Sequence, residues 1–302
     1  MQLRNSYMYY LSAIKPEMCK KIISHGLSKM VVDENAGISR VASTFDGKEK
    51  GGIDFKGNKV SSKVATGGAT RETLAKKGID TANAYVRDSE ISWLNEKWLY
   101  DIFHPYVHHA NQQAGWNWKW DFSESFQFTV YHGRKENGGF YGWHADGSSD
   151  FKSMYKAAIR VKEGDKKKGI PPTFKPPKRD QKGFVVMRPD GKPEPDMRAA
   201  DIPLKRDRES LAPGYTDNIH MWDKVRKISM TVNLTDPKNY AGGNLKFDLG
   251  AHAGKKRFKV CEEIRPQGSI IIFPSFTYHC VTPCTRGTRY SLVLWSLGRP
   301  WQ

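Results

Sequence analysis

The sequence has few cysteines and no long apolar run. Its 302 residues include only four cysteines, Cys19, Cys261, Cys280 and Cys284, too few for a disulfide scaffold in a chain of this length. No run of about 18 apolar residues occurs, so no membrane-spanning helix is expected. The first residues also lack the basic stretch followed by an apolar stretch that marks a signal peptide. We therefore expect a protein of the reducing cytoplasm, without a membrane as partner.

Acidic residues are also scarce relative to basic ones. The 49 lysines and arginines outnumber the 32 acidic residues, for a formal net charge of +17. This excess favours an anionic partner or substrate, a class that includes nucleic acid and small di-acids. An evenly spread basic surface that only aids solubility is the alternative. The hydrophobic content of 38% indicates a folded chain rather than a disordered one.

The N-terminal part of the chain, residues 1–122, is predicted to be a helical support with loops. An opening strand is expected over residues 4–11, and a helix with an apolar face begins at Pro16, since proline is tolerated in a first turn. A second helix is predicted from Asp88 to about Gln113 because apolar residues recur there at helical spacing. Glycines and small polar residues dominate from Asp33 to Thr70, which predicts hairpins and mobile loops.

Alternating patterns typical of strands dominate the rest of the chain. Alternation begins at Trp116, Trp118 and Trp120 and continues from Phe126 to Tyr131. Short strands at roughly ten-residue spacing, punctuated by Gly and Pro, indicate an antiparallel sandwich or barrel. The fold class is therefore α+β and mainly β, with a β-barrel core over residues 123–302 that the N-terminal helices buttress. The later strands are predicted at residues 227–235, 242–247, 257–260, 268–273, 278–281 and 289–295.

The segment 151–217 differs from its surroundings. It is rich in proline, and residues 152–209 contain seventeen basic and nine acidic residues, a net of +8. We interpret it as an insertion in the core of a single domain spanning residues 1–302, partly polyproline-like and partly mobile. Three interpretations of its role remain open: a solvated linker, a lid that grips the substrate, and a non-catalytic arm that binds nucleic acid or another partner.

The segment from Gly139 to Gly147 places His144 and Asp146 two residues apart. Side chains alternate along an extended strand, so both point to the same side. An imidazole and a carboxylate are two of the three ligands of a 2-His-1-carboxylate triad, which suits Fe(II). The pair alone is a weak signal, because it occurs by chance in most chains of this size. His279, at the start of a later predicted strand, is the candidate third ligand.

Ten residues after His279, Arg289 begins the last long strand, with Ser291 on the same face. The ordered set His144-x-Asp146, His279, Arg289-x-Ser291 resembles the Fe(II)/2-oxoglutarate-dependent dioxygenases, and within them it is most similar to the prolyl 4-hydroxylase-like branch. The resemblance covers about Ser123 to Leu297, apart from the insertion. Supporting matches are Gln127–Tyr131, Gly242–Phe247 and Gly268–Pro274.

The resemblance implies a double-stranded β-helix of the jelly-roll or cupin type and a role for each motif residue. Arg289 would bind the distal carboxylate of 2-oxoglutarate, because a guanidinium offers a bidentate geometry that lysine lacks. Ser291 and Tyr131 would be further contacts to 2-oxoglutarate. The loop between Tyr131 and the first ligand looks longer than the family pattern. The catalytic iron ligands would be His144, Asp146 and His279.

The implied reaction is the oxidative decarboxylation of 2-oxoglutarate to succinate and CO2, coupled to hydroxylation of an unactivated C–H bond. It would use Fe(II), 2-oxoglutarate and O2, with ascorbate as reductant. Peptidyl-proline is the first candidate substrate. The alternatives are another protein residue and nucleic acid, through oxidative demethylation. A barrel that binds metal only for structure is disfavoured by Arg289, since a buried guanidinium without an anionic ligand is costly.

Other candidate residues lie outside the motif. Cys280 and Cys284 suggest zinc, but without a second cysteine pair we favour small buried side chains or thiols prone to oxidation. Trp143 and Trp295 are candidates for pocket walls or for core packing. Three further histidines fit surface or hydrogen-bonded positions better than metal ligation: His132, His220 and His252.

Overall fold

The structure is a computed structural model, and it falls into two compact units. The first comprises Met1–Trp118, Ser123–Asp146 and Arg226–Ser296, and the second Lys119–Phe122, Gly147–Val225 and Leu297–Gln302. The single domain expected over residues 1–302 stays a prediction. The described residues are 5–30, 32–33, 38–39, 52–53, 59–60, 87–135, 138–147, 154–165, 167–204, 211–212, 214–250 and 257–300.

Strands far outnumber helices among these residues. The two α-helices are α1 (Pro16–Ser28) and α2 (Lys97–Gln113), and three short 3-10 helices span Ile219–Met221, Pro237–Asn239 and Glu262–Ile264. The strands are β1 (Met8–Tyr10), β2 (Val32–Asp33), β3 (Ile38–Ser39), β4 (Gly52–Ile53), β5 (Lys59–Val60), β6 (Arg87–Asp88), β7 (Glu90–Leu94), β8 (Phe122–Ser123), β9 (Phe126–His132), β10 (Phe140–His144), β11 (Lys156–Ala157), β12 (Ile159–Lys162), β13 (Thr173–Lys175), β14 (Tyr215–Thr216), β15 (Val225–Asn233), β16 (Tyr240–Gly242), β17 (Leu245–Asp248), β18 (Phe258–Val260), β19 (Ile270–Pro274), β20 (Tyr278–Val281) and β21 (Cys284–Gly298).

Two antiparallel sheets form the core of the first unit. The larger has eight strands in the order β1-β19-β15-β21-β9-β7, with β16 and β8 also paired to β21. The smaller has five strands in the order β18-β17-β20-β10-β6. Strands that are neighbours in these sheets come from distant parts of the sequence. The predicted antiparallel, mainly β architecture is therefore confirmed.

Apolar side chains from both sheets meet in one buried cluster. Tyr131 and Phe273 come from the eight-stranded sheet, and Leu245, Phe247 and Val281 come from the five-stranded sheet. Each is at most 9% exposed, so the two sheets bury their facing sides against each other. This pair of antiparallel sheets around a shared core has the jelly-roll arrangement predicted from the resemblance.

Helix α1 packs on the eight-stranded sheet. It begins at Pro16, as predicted, and buries Cys19, Ile22 and Gly26. Gly26 lies so close to Phe128 of β9 that a Cβ atom there would approach the ring to 2.4 Å. The Ser92 hydroxyl donates a hydrogen bond of 2.8 Å to the Gly26 carbonyl, which ties the helix to β7.

The predicted start of the second helix was wrong. Residues Glu90–Leu94 form strand β7, antiparallel to β9 with Glu90 opposite Val130, and helix α2 begins only at Lys97. Positions 90, 92 and 94 are buried in alternation, but two of them are polar and therefore left no apolar alternation in the sequence. Pairing with β9 overrides the weak helical spacing at this edge.

The strand predicted from Trp116 to Trp120 is also absent. The backbone N–H groups of Trp116 and Asn117 both donate to the Asn111 carbonyl, at 3.1 Å each, so the chain is still leaving helix α2. Asn117 has φ of 52°, a left-handed conformation that interrupts an extended strand. The rings of Trp116 and Trp118 stack with their centroids 5.6 Å apart. The alternation of these tryptophans in the sequence therefore reflects aromatic packing rather than a β-strand.

The second unit contains most of the proline-rich segment. Strand β11 pairs in parallel with β14, and β12 pairs antiparallel with β13. Phe174 is 2% exposed and packs with Ala158 and Ile202 in a small apolar cluster of this unit. The described residues of the segment thus include short strands with a core of their own.

Part of the N-terminal prediction falls outside the described residues. Between Asp33 and Thr70 the described strands form two short antiparallel pairs, β2 with β3 and β4 with β5, and the rest of the predicted loops lie outside.

No helix in the described part of the chain combines the length and the apolar composition that crossing a membrane requires.

We expect Gly26→Ala to destabilise the protein, although alanine is the better helix former by about 1 kcal/mol. The new methyl group would overlap the Phe128 ring, which is fully buried, and overpacking of this kind costs about 1–3 kcal/mol. Urea denaturation measures the free energy of unfolding. Ser24→Ala, on an exposed position of the same helix, is the matched control and should change it by less than about 0.5 kcal/mol. An unchanged or higher stability of Gly26→Ala would contradict the packing argument.

Candidate active site

His144 and His279 face each other across two neighbouring strands. They are register partners of β10 and β20 in the five-stranded sheet, and their ring centroids lie 4.2 Å apart. Asp146 follows β10 and places Oδ1 3.5 Å from His144 Nε2 and Oδ2 3.7 Å from His279 Nε2. One candidate ligand atom from each of the three residues lies within 4.8 Å of the others. The fold thus brings together the three residues that the sequence proposed as ligands.

Backbone carbonyls orient both imidazoles. His144 Nδ1 lies 2.7 Å from the Gly142 carbonyl oxygen, and His279 Nδ1 lies 2.8 Å from that of Thr277. A carbonyl oxygen can only accept, so each Nδ1 carries the proton and donates. Each Nε2 therefore keeps its lone pair and turns it toward Asp146. This tautomer, held by a hydrogen bond behind the ring, is the one a metal-binding histidine needs.

The Asp146 carboxylate is held ionised in a buried position. Burial opposes ionisation, but the neighbouring His279 and His144 side chains and the Arg226 guanidinium favour the carboxylate and outweigh burial, so the pKa of Asp146 lies well below its ordinary value. Ser229 Oγ donates to Asp146 Oδ2 at 2.7 Å and lies 2.9 Å from Ser275 Oγ. The Asp146 backbone N–H donates to the Ser275 carbonyl at 2.9 Å. The serines thus fix the position of the carboxylate, and Ser229 does so through Oδ2, the oxygen that also faces His279.

The environment keeps His279 neutral. Burial lowers its pKa to about 4, an effect that the Asp146 charge opposes and the neighbouring His144 reinforces. A neutral imidazole is what metal ligation requires, because the lone pair must be free. Two imidazole nitrogens and one carboxylate oxygen form the facial set that suits Fe(II). Among the described residues, His144, Asp146 and His279 form a group of side chains close enough to hold one metal ion. The chemistry of these three side chains fits iron.

Arg289 provides a buried positive charge in the same unit. It is 1% exposed and lies on β21, in register with Tyr131 of β9. Its Cζ is 5.3 Å from the Tyr131 ring, and among the described residues its Nε has no hydrogen-bond partner and no acidic side chain pairs with it. A buried guanidinium without a counter-charge is costly. The site therefore fits a carboxylate of a bound anion.

The Gly242-Gly243 pair gives the Arg289 stem its space. Both glycines have positive φ, 70° and 60°, which disfavours other residues. A Cβ on Gly243 would come within 2.7 Å of Cys284 Sγ and 2.9 Å of Arg289 Cδ. The glycine motif seen in the sequence thus has a structural reason, since a larger residue would displace the guanidinium.

Tyr131 and Ser291 are buried next to the same arginine. Burial raises the pKa of Tyr131, against the opposing charges of Arg87 and Arg289, so its hydroxyl stays protonated. Ser291 is 1% exposed and lies opposite Thr129, two residues along β21 from Arg289 and so on the same face. Their contacts to a co-substrate stay predictions.

Sequence reasoning missed Arg87. Its side chain is 5% exposed and engages Ser89, Gln127 and Thr129 through hydrogen bonds. It also lies over the Tyr141 ring. A lone arginine in a strand of two residues carries no periodic signal, so only the structure could place it here.

Arg226 is a second residue the sequence left unassigned. It donates to both carboxylate oxygens of Glu124, at 2.6 and 2.7 Å, and its Nη1 lies 3.4 Å from the Asp146 carbonyl oxygen. Its Cζ is 3.9 Å from the Trp295 ring centroid, and Trp295 is 4% exposed. Trp295 is therefore a buried residue that packs against Arg226. Trp143 is 36% exposed and stacks in parallel with Tyr278.

The remaining candidates have structural partners. His132 Nε2 lies 2.5 Å from Glu90 Oε1, and the ring of His220 stacks on Phe122 at 5.8 Å, while His252 lies outside the described residues. All four cysteines are free and buried. Burial raises the pKa of Cys280 to about 11 and that of Cys284 also rises, so both thiols stay protonated and unsuited to zinc.

Comparison with known families supports the resemblance seen in the sequence. Residues 213–297 match the model of the 2OG-Fe(II) oxygenase superfamily, a segment that contains His279, Arg289 and Ser291. A PKHD-type hydroxylase of Synechococcus sp. is 36% identical over 85 residues, 27% of this chain and 35% of the relative. The PKHD-type hydroxylase YbiX of Escherichia coli is 38% identical over 68 residues, 22% of this chain and 27% of the relative. The chain thus spans about a third of the length of the curated relatives it matches, and the predicted resemblance to these oxygenases is confirmed.

Solved structures give a weaker likeness. A Pseudomonas putida prolyl-4-hydroxylase is 12% identical, with a TM-score of 0.44 over 97% of this chain and 93% of that chain. The viral collagen prolyl hydroxylase of Paramecium Bursaria Chlorella virus-1 is 12% identical, with a TM-score of 0.45 over 97% of both chains.

We expect Ser229→Ala to weaken metal binding about tenfold, because loss of a hydrogen bond to a ligating carboxylate typically costs 10–100-fold in metal affinity. Calorimetric titration with Mn(II) under anaerobic conditions measures it. Ser296→Ala is the matched control, since it removes a hydrogen bond between two serine hydroxyls away from the ligands, Ser123 Oγ to Ser296 Oγ at 3.2 Å. Equal Mn(II) affinity in both variants would contradict a role for Ser229 at the metal.

Proposed function

We propose that this chain, whose residues 213–297 carry the sequence of the 2OG-Fe(II) oxygenase superfamily, is an Fe(II)- and 2-oxoglutarate-dependent dioxygenase that hydroxylates peptidyl-proline. One observation carries the proposal. A cluster of His144, Asp146 and His279 suited to Fe(II) and a buried guanidinium without an acidic partner among the described residues, Arg289, lie within the same compact unit.

Three side chains hold the metal in this proposal. The Nε2 atoms of His144 and His279 and the carboxylate of Asp146 would occupy one face of the ion, which leaves the opposite positions for the co-substrate and O2. When bound, Fe(II) and 2-oxoglutarate supply oxidative decarboxylation to succinate and CO2 together with hydroxylation of a substrate C–H bond. The Nδ1 hydrogen bonds keep both imidazoles oriented throughout.

Arg289 would select and orient the co-substrate. Its guanidinium is permanently charged and can donate two parallel hydrogen bonds to a carboxylate. A dicarboxylate that binds the metal at one end can therefore neutralise Arg289 at the other. The buried Tyr131 hydroxyl, which stays protonated, is a candidate donor to the same anion.

A peptide substrate is supported by two lines of reasoning. The order of the motif residues resembles the prolyl 4-hydroxylase-like branch, and the curated relatives that match the chain are named hydroxylases. Ascorbate would serve as reductant, as the resemblance implies. Proline is the specific residue we propose.

The direct test is incubation of proline-containing peptides with the protein, Fe(II), ascorbate and 2-oxoglutarate. We expect a mass gain of one oxygen atom on a proline, together with succinate release. His144→Ala, Asp146→Ala and His279→Ala should each abolish both, because each removes one of three ligands. Turnover like that of the unmodified protein in His279→Ala would refute the ligand assignment, and a broad peptide array without hydroxylated product would refute the substrate.

Nucleic acid is the second candidate substrate, favoured by the net charge of +17. In that case the basic segment 151–217 would act as a binding arm whose affinity falls steeply with salt. Alkylated DNA or RNA should then stimulate succinate release in the same assay. If these polymers leave succinate release unchanged while peptides raise it, the nucleic-acid alternative is eliminated.

Arg289→Ala should separate co-substrate binding from metal binding. Loss of one partner of a buried charge pair costs about 2–5 kcal/mol, so the KM for 2-oxoglutarate should rise steeply. Calorimetry without 2-oxoglutarate should still show Mn(II) affinity near that of the unmodified protein. Arg289→Lys keeps the charge but not the paired donors, and its KM should be intermediate. An unchanged KM in Arg289→Ala would exclude Arg289 as the carboxylate anchor.

A further inference from the structure

Arg87, Tyr141 and His144 form a continuous stack. Arg87 Cζ lies 4.6 Å from the centroid of the Tyr141 ring. The Tyr141 ring in turn stacks on the His144 imidazole, with centroids 3.6 Å apart and planes inclined by 19°. Tyr141 and Arg87 are register partners of β10 and β6, so backbone pairing supports the contact. Tyr141 thus touches a buried cation and a candidate metal ligand at once.

Hydrogen bonds to the other sheet hold Arg87 in place. Its Nε donates to Ser89 Oγ at 2.6 Å, and its Nη2 donates to Gln127 Oε1 at 2.7 Å and to Thr129 Oγ1 at 3.2 Å. Gln127 and Thr129 belong to β9 of the eight-stranded sheet, whereas Tyr141 belongs to the five-stranded sheet. The Arg87 side chain therefore links the two sheets of the first unit.

Arg87 meets no acidic side chain among the described residues. The three side chains that accept its hydrogen bonds are neutral, and at 5% exposure water screens its charge poorly. The negative face of an aromatic ring is then a favourable neighbour, and a desolvated contact of this kind is stronger than an exposed one. The Arg87 guanidinium thus makes a favourable contact with the Tyr141 ring, which stacks on His144.

The strand needs such support where it approaches the metal. The pairing of β10 with β20 shifts register between Tyr141 and His144, and a bulge leaves the extra residue unpaired and re-aims the side chains around it. The imidazole has one hydrogen bond behind it, from Nδ1 to Gly142, and Gly142 lies inside the irregular stretch. The Tyr141 ring stacks on the His144 imidazole and is itself held by Arg87, so it supplies a second constraint on the plane of the imidazole.

We propose that Arg87 is a positioning residue for the metal ligand His144 and acts on it through the Tyr141 ring. The inference rests on the proposed function only in taking His144 as a metal ligand. It assigns Arg87 no contact with substrate or co-substrate. It explains why a buried arginine is anchored by three neutral acceptors and directed at a tyrosine.

The test compares Mn(II) affinity, measured by calorimetry, and the Cu(II) electron paramagnetic resonance spectrum in Arg87→Met, Tyr141→Leu and the double variant. Removal of a nearby cation would by Coulomb's law tighten metal binding, so a loss of affinity reports lost positioning. We expect Arg87→Met to weaken Mn(II) binding about tenfold, the lower end for residues behind a metal ligand, and to alter the Cu(II) spectrum. The double variant should bind little more weakly than Tyr141→Leu alone, because coupled residues are not additive.

Arg257→Met is the matched control, since Arg257 also lies over an aromatic ring next to the same sheet, with its Cζ 4.9 Å from the Phe258 ring centroid. It should leave both the affinity and the spectrum unchanged. If Arg87→Met fails to fold, Arg87→Lys keeps the charge with a single donor group, and a smaller loss is expected. Unchanged or tighter Mn(II) binding in a folded Arg87 variant, or additive losses in the double variant, would overturn the inference. Absence of Mn(II) binding by the unmodified protein would instead refute the metal site itself.

Discussion

The antiparallel pairing of β10 with β20 is the constraint on which the site depends. It places His144 opposite His279 although 134 residues separate them (279 minus 144, less one). A slip of one residue would turn either imidazole to the other face of the sheet. Asp146 follows the register shift in β10 and places one carboxylate oxygen near the Nε2 atom of each imidazole. Ligand geometry is thus a consequence of strand register.

The buried carboxylate of Asp146 and the buried guanidinium of Arg289 are both suited to binding a group of opposite charge. Asp146 stays ionised beside a His279 that burial keeps neutral, a combination that leaves a negative charge and two lone pairs directed at one point. Arg289 carries the opposite charge without an acidic partner among the described residues. In the proposed function a divalent metal would complement the Asp146 charge and a dicarboxylate would complement the Arg289 charge.

Much of the fold was predictable because the strong patterns were local. The strands predicted at 227–235, 257–260, 268–273 and 278–281 lie within two residues of their observed bounds, since Gly and Pro separate runs of apolar and β-branched residues there. Residues 242–247 instead divide between β16 and β17, and the last strand begins at Cys284 rather than at Arg289. The predictions failed where local pattern and tertiary context disagreed. Residues 90–94 join the sheet edge through polar buried positions, and the Trp116 region is a helix end whose positive φ at Asn117 the spacing of tryptophans did not reveal.

The sequence by itself determined the chemical types and their order: a His-x-Asp pair, a later histidine and an arginine before a serine. These are properties of single side chains and short spacings, which need no knowledge of the fold. Only the tertiary structure decided that the three candidate ligand atoms converge, that each imidazole presents Nε2, and that Arg87 contacts the Tyr141 ring that stacks on His144. Convergence depends on pairing between strands far apart in the chain, and a hydrogen bond to a carbonyl or a buried neighbour leaves no trace in residue spacing.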